Sequence, residues 1–289
     1  MRNTETWEAK LSAVGQQAES EEELADMKSN AWSELISNKK LGLMAMLRNL
    51  RNIISQSPES IPLVCESLTN EYFILKSRVL PFRFSTAYEE ISKVGNSKEV
   101  RDVLMAIGQA LDISVANVPV FDGETLVVMD VSGSMSGRPS EIASLFGAIL
   151  AKVNNCDVMT FSTDASYMSY NPIDSVMTIR SKFRFSGGGT NFKSIFKKAN
   201  KKYDRIIILS DMQCWMGYTT PSAEFNQYKK KFGANPFIYS WDLAGMGTLQ
   251  FPENNVFALA GFSDKVFEIM KMMELDKKAL YNEIKAIKL

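Results

Sequence analysis

Apolar residues recur at three- and four-residue steps from residue 5 to about residue 116, the period of amphipathic helices. In Leu41, Met44, Leu47, Leu50 and Ile54 this spacing marks one buried helix face. Pro58 and Pro62 then interrupt the chain, and Ile61, Val64, Leu68 and Phe73 carry a second helix whose start suits proline in a first turn. Pro81 opens a third, with Phe84, Ala87, Tyr88 and Ile91 inward. Gly95-Asn96-Ser97 closes it before Val100 to Leu111 repeats the theme. The pattern predicts short antiparallel helices, arranged as the pairs of an α-helical repeat segment without a fixed period.

Around Asn117 to Gly123 the pattern changes. Short apolar runs at Leu126 to Met129, Val158 to Phe161, Ile206 to Leu209, Phe237 to Tyr239 and Val256 to Leu259 read as buried parallel strands. Helical candidates lie between them, near 139–153, 191–203, 221–231 and 263–274. Strands alternating with helices predict a doubly wound, Rossmann-like α/β domain over residues 122–289, following a helical segment over 1–121. In such sheets ligands sit outside the carboxyl ends of the strands.

Composition narrows the chemistry. Of 289 residues 45% are hydrophobic and 23% charged, the balance of a soluble globular protein, and Lys plus Arg equals Asp plus Glu at 33 each. Nucleic-acid binding must therefore come from local patches rather than a global basic excess. Histidine is absent, which removes Ser-His-Asp triads, HExxH zinc sites and the commonest general base. Cys65, Cys156 and Cys214 have no CxxC spacing and are too few for a disulfide framework, so reduced thiols are expected. With no signal-peptide pattern and no apolar run approaching ~18 residues, the expected location is cytoplasmic and away from membranes.

Two apolar strands end in aspartates. Leu126 to Met129 runs into Asp130, and Ile206 to Leu209 runs through Ser210 into Asp211. Asp130-Val131-Ser132-Gly133-Ser134 is a DxSxS pattern whose alternate residues turn three oxygen side chains toward one point. Ser186-Gly187-Gly188-Gly189-Thr190 delivers a further hydroxyl where the next helix begins, its glycines permitting close backbone approach. Carboxylates and hydroxyls without nitrogen or thiolate donors suit a hard cation, Mg²⁺ best. A metallohydrolase would need a positioned base, and Asp164 and Asp174 are the nearest unassigned acids.

This constellation resembles the metal-ion-dependent adhesion site (MIDAS) of von Willebrand factor A domains: Asp130, Ser132 and Ser134 match its DxSxS, Thr190 its threonine and Asp211 its last aspartate. The resemblance implies a noncatalytic binding site, at which a partner's carboxylate fills an open position on the cation. An ion held by two carboxylates stays electrophilic, which is why an outside oxygen can complete the shell.

The helical half carries a further resemblance. Ala31 to Ile36 (AWSELI), Met46 to Leu50 (MLRNL), Val64 to Glu71 (VCESLTNE) and Arg78 to Phe82 (RVLPF) resemble consecutive signatures of the Ro ribonucleoprotein family, whose members carry a TROVE module. The likeness runs from about residue 31 to 275. It implies HEAT-like α-helical repeats joined to a von Willebrand factor A domain, and binding of small structured Y-RNA-like RNAs. The family's ring contains more helices than residues 1–121 can form, so either a homo-oligomer completes it or RNA binding is reduced. The competing expectation is a metal-dependent protein-interaction module, with an acidic partner and no RNA.

Local charge offers two basic tracts. Lys39, Lys40, Arg48 and Arg51 lie in an acid-free stretch from Leu35 to Pro58, and they are the expected RNA-contacting residues, with Arg48 and Arg51 on neighbouring positions of one helix face. Ser175 to Tyr203 holds Arg180, Lys182, Arg184, Lys193, Lys197, Lys198, Lys201 and Lys202 without an acid. It reads equally as a phosphate-facing tract or as the solvated side of a helix buried through Phe192, Ile195, Phe196, Ala199 and Tyr203. Trp7 and Trp32 are expected to anchor a small core, and Trp215 to stand at the rim of the metal site.

Overall fold

A computed structural model describes residues 6–213, 221–245, 255–260, 266–276, 282 and 284–285. Two compact units divide between Val118 and Pro119, slightly before the 121/122 boundary that composition suggests. Among the described residues no helix is long and apolar enough to cross a membrane.

The first unit consists of α1 (Trp7–Gln17), α2 (Glu21–Ser37), α3 (Leu43–Gln56), α4 (Ile61–Thr69), α5 (Glu71–Ser77), α6 (Pro81–Ile91) and α7 (Lys98–Ser114). Side chains of Thr6, Ser20, Asn70 and Ser97 cap the amides that open α1, α2, α5 and α7. The buried face of α3 is Leu43, Met46, Leu47, Leu50 and Ile53. Met44 and Ile54, expected inward, are half-buried, because the face is rotated by one residue toward Leu43 and Ile53. The helix expected to run through Phe73 is interrupted at Asn70, whose side chain accepts the Phe73 amide and starts α5, so that Ile74 becomes the buried residue. Tyr88 is half-buried, whereas Phe84, Ala87 and Ile91 are buried as the period predicts. Trp32 is 1% exposed and stacks on Trp7 at 6.4 Å between centroids, as anchors of a small core do.

The end of α2 has an unusual conformation. Lys39 has φ +53°, and the Lys39 and Lys40 amides donate to Ile36 and Leu35 carbonyls, at 3.0 and 2.9 Å. This is a left-handed helix stop of the kind glycine usually occupies. A Cβ in that region costs on the order of 1 kcal/mol. Lys39→Gly is therefore expected to raise stability by roughly that amount in urea unfolding; a loss would show that the lysine side chain anchors the turn.

The second unit is a six-stranded sheet in the order β3-β2-β1-β4-β5-β6. Its strands are β1 (Thr125–Asp130), β2 (Asp157–Phe161), β3 (Ala165–Met168), β4 (Arg205–Ser210), β5 (Phe237–Asp242) and β6 (Val256–Ala260). All pairings are parallel except β2 with β3. The described α-helices of this unit are α8 (Arg138–Asn154), α9 (Val176–Lys182), α10 (Phe192–Lys198), α11 (Pro221–Phe232) and α12 (Val266–Leu275). The five expected strands are present. The edge strand β3 and helix α9 are additional, both too short to show a period in the sequence.

Phe192, Ile195 and Phe196 pack on one sheet face with Leu126, Val128, Ile206 and Ile208. On α8 and α12, Phe146 and Phe267 pack with Trp241, the Phe146 and Trp241 rings edge-on at 4.5 Å. The helix expected over 191–203 stops at Lys198, although all five residues of its apolar stripe are buried. Tyrosine hydroxyls take over its backbone: Tyr167 Oη accepts the Asn200 amide at 3.2 Å, and Tyr228 Oη accepts the Tyr203 amide at 2.9 Å. Beneath β4, Arg205 is 2% exposed and ion-pairs with Glu274 of α12.

Candidate metal centre and candidate nucleic-acid interface

Asp130 ends β1, and the parallel register that sets Met129 beside Leu209 carries β4 on through Ser210 to Asp211. Asp130 is fully buried, Asp211 is 2% exposed, and Thr190 and Ser132 are buried beside an exposed Ser134. The Ser132 amide donates to Asp130 Oδ1 at 2.9 Å, which turns the strand end into a loop, and Ser132 Oγ lies 3.2 Å from Ser134 Oγ. Ser210 Oγ donates to Asp130 Oδ2 at 2.6 Å while accepting the Met212 amide at 2.9 Å. Sequence reasoning missed Ser210. The signal was there: on adjacent parallel strands it shares register and face with Asp130.

The glycine loop is tied to the DxSxS turn by two reciprocal main-chain bonds, from the Gly187 amide to the Val131 carbonyl and from the Gly133 amide to the Gly188 carbonyl, both 3.1 Å. Gly188 has φ +92°, and a Cβ there would meet Thr163 Oγ1 at 3.1 Å, so this close approach requires glycine. These bonds place Thr190 two residues beyond the anchor, on the same loop.

Burial pushes the Asp130 carboxyl above its ordinary pKa. Hydrogen bonds from Ser132 and Ser210 oppose that shift, and the neighbouring Asp211 charge adds to it. Asp130, the nearby Asp211 charge and the Ser132 and Ser134 hydroxyls are oxygen donors of the chemistry that suits a hard divalent cation. The hydrolase alternative finds its acids engaged elsewhere: Asp174 pairs with Lys182 at 2.7 Å, and Asp164 Oδ1 accepts the Ala165 amide in the β2–β3 turn. Trp215 lies outside the described residues, as does Cys214.

Arg48 and Arg51 are exposed on α3 and line a cleft of about 290 Å³ together with Arg83 and Glu90 of α6. Arg83 was not anticipated, because its helix face is set by tertiary packing rather than by a charge run. Lys39 lines a different cleft, and Lys40 is exposed near Glu34, whose carboxyl its charge helps to hold down after the larger effect of Lys10. The four expected residues thus divide among three places: Arg48 and Arg51 share one cleft, Lys39 lines another, and Lys40 lines neither. Much of the second basic tract is neutralised: Lys182 pairs with Asp174, Lys197 with Glu224, and Lys201 with Glu124 and Asp157. Arg180 donates to Ser144 Oγ and the Glu141 carbonyl, and Lys193 is buried.

The TROVE domain pattern matches residues 1–110, and the pattern of the Ro60 vWA domain matches residues 124–273. "RNA-binding protein RO60" of Deinococcus radiodurans is 24% identical over 221 residues, 68% of this chain and 42% of that protein. "Telomerase protein component 1" of Mus musculus is 40% identical over 96 residues, 32% of this chain and 3% of that protein. The chain therefore spans less than half the length of the Deinococcus relative and a small fraction of the mouse one. The crystal structure of the Deinococcus radiodurans RO (RSR) protein superposes with a TM-score of 0.68 at 17% identity, covering 90% of this chain and 62% of that one, so the fold is shared. With a helical unit matching the TROVE domain and an α/β unit matching the Ro60 vWA domain over more than half of the chain, this protein belongs to the Ro60 family.

Proposed function

We propose that this protein binds structured small RNA without turning it over, through the helical unit. The carrying observation is the cleft where Arg48 and Arg51 of α3 meet Arg83 of α6, within the segment that matches the TROVE domain. The name of the Deinococcus relative, an RNA-binding protein, supports the reading. Guanidinium groups lining a cleft suit phosphate oxygens, and their counterion release makes binding salt-dependent. The test is a titration of a labelled stem-loop RNA between 50 and 200 mM salt. Arg48→Ala with Arg51→Ala is expected to weaken binding roughly 10- to 100-fold and to flatten the slope of log K against log salt by about 2. Both residues are exposed, so folding should be unaffected, and chelator should change nothing. A double variant that binds like the parent removes the assignment.

A second reading rests on the buried carboxylates. Asp130, Ser132, Ser134, Thr190 and Asp211 would hold Mg²⁺, directly or through water, and the cation supplies an electrophilic position for a carboxylate of an acidic protein partner. On this reading partner binding is lost with EDTA and is indifferent to Arg48 and Arg51.

A further inference from the structure

The cleft that takes Lys39 away from the arginines is the larger of the two, about 450 Å³, and has a different chemistry. Leu41, Leu43, Met46 and Phe73 supply an apolar floor. Tyr72 of α5 stands at its mouth, 72% exposed, with Lys76 Nζ 5.4 Å from its ring centroid. A tyrosine this exposed contributes little to the core; what it offers is an aromatic ring with an ammonium over one face. Lys39, which also lines the cleft, is held in the left-handed conformation that glycine would adopt with less strain. The floor is apolar, one exposed aromatic ring carries the Lys76 ammonium, and Lys39 supplies a second basic residue to the lining. Glu66 also lines the cleft, so its charge suits a single phosphate rather than a run of them.

We propose that this cleft is a nucleotide pocket: an unpaired base enters the apolar floor against the Tyr72 ring, and Lys39 and Lys76 meet its phosphate. Its volume lies in the range of small-ligand sites. Stacking on an aromatic face with a cation at the phosphate is how single-stranded nucleic acid is held without regard to sequence. The pocket deepens the RNA-binding reading by adding a recognition site for an unpaired nucleotide, separate from the arginine cleft. A free nucleoside monophosphate has the same chemistry, and the experiment distinguishes the two sources.

Full-length protein is titrated with a single-stranded oligoribonucleotide, with the same strand in a duplex, and with adenosine monophosphate. The parent is compared with Tyr72→Ala, Tyr72→Phe and Lys39→Gly. Expected are a loss of roughly 10-fold or more in single-strand affinity for Tyr72→Ala, near-parental binding for Tyr72→Phe, and a smaller effect on the duplex. Lys39→Gly is expected to bind several-fold more weakly while melting higher, a pairing that a merely structural lysine would not give. If the parent binds RNA and Tyr72→Ala binds it equally well, the pocket is overturned and the arginine cleft stands. If the parent binds adenosine monophosphate through Tyr72 but no RNA, the pocket stands and the RNA-binding reading falls. Binding of neither overturns both.

Discussion

Arg205→Ala should cost the second unit about 3 kcal/mol, a large share of a domain's stability, because it leaves the Glu274 carboxylate, whose side chain is only 17% exposed, with the Tyr239 hydroxyl but without its charged partner. The Arg205 side chain is 3% exposed and faces Glu274 of α12 with two nitrogens. The same guanidinium donates to Thr125 Oγ1 at 2.8 Å and to the Asp122 carbonyl, and it lies 4.5 Å over the Phe121 ring. One side chain therefore ties the approach to β1, strand β4 and helix α12 together. The pair between Lys93 and Glu90 makes the contrast, since both side chains are largely exposed and solvent screening leaves little to lose when it is broken. Urea unfolding followed by circular dichroism measures both. An Arg205→Ala loss as small as that for Lys93→Ala would mean that water screens the Arg205 pair.

The second large effect concerns the cation. Mg²⁺ at a hundred times its dissociation constant should stabilise the protein by about 2.7 kcal/mol, a rise of several degrees in melting temperature. Asp130→Ala should abolish most of that rise, because it halves the carboxylate charge and leaves Asp211 with neutral hydroxyls, which bind a hard cation weakly. Ser210→Ala is the sharper control: it leaves every proposed ligand in place but frees Asp130 Oδ2 from its 2.6 Å bond, so the response should weaken without vanishing. A parent protein whose melting temperature ignores millimolar Mg²⁺ would remove the metal reading.

The architecture was legible in the sequence because each unit writes its period plainly: three- and four-residue steps before Asn117, short β-rich runs after it. The details that sequence reading missed are those fixed by partners distant along the chain. The face of α3 turned by one residue because packing against neighbouring helices, rather than hydropathy, chooses between Leu43 and Met44. The stop of α10 at Lys198 was hidden because its backbone is satisfied by Tyr167 and Tyr228, which lie on β3 and α11. The DxSxS and glycine-loop residues were readable as a motif, whereas the support from Ser210 needed the register of two strands. For the arginine cleft the sequence offered Arg48 and Arg51 and not Arg83, since no local pattern says which helix packs opposite.

The order of the strands has a kinetic consequence. Asp130 and Ser210 are 80 positions apart and meet through the pairing of β1 with β4, at the centre of the sheet. Closing so long a loop is slow and comes after local helices have formed, so an incompletely folded chain has no reason to hold a cation at this place. A bound ion would then act on escape from the native state: it would slow unfolding while leaving the refolding rate almost unchanged, and occupancy of the site would set the lifetime of the folded unit more than the speed of its formation.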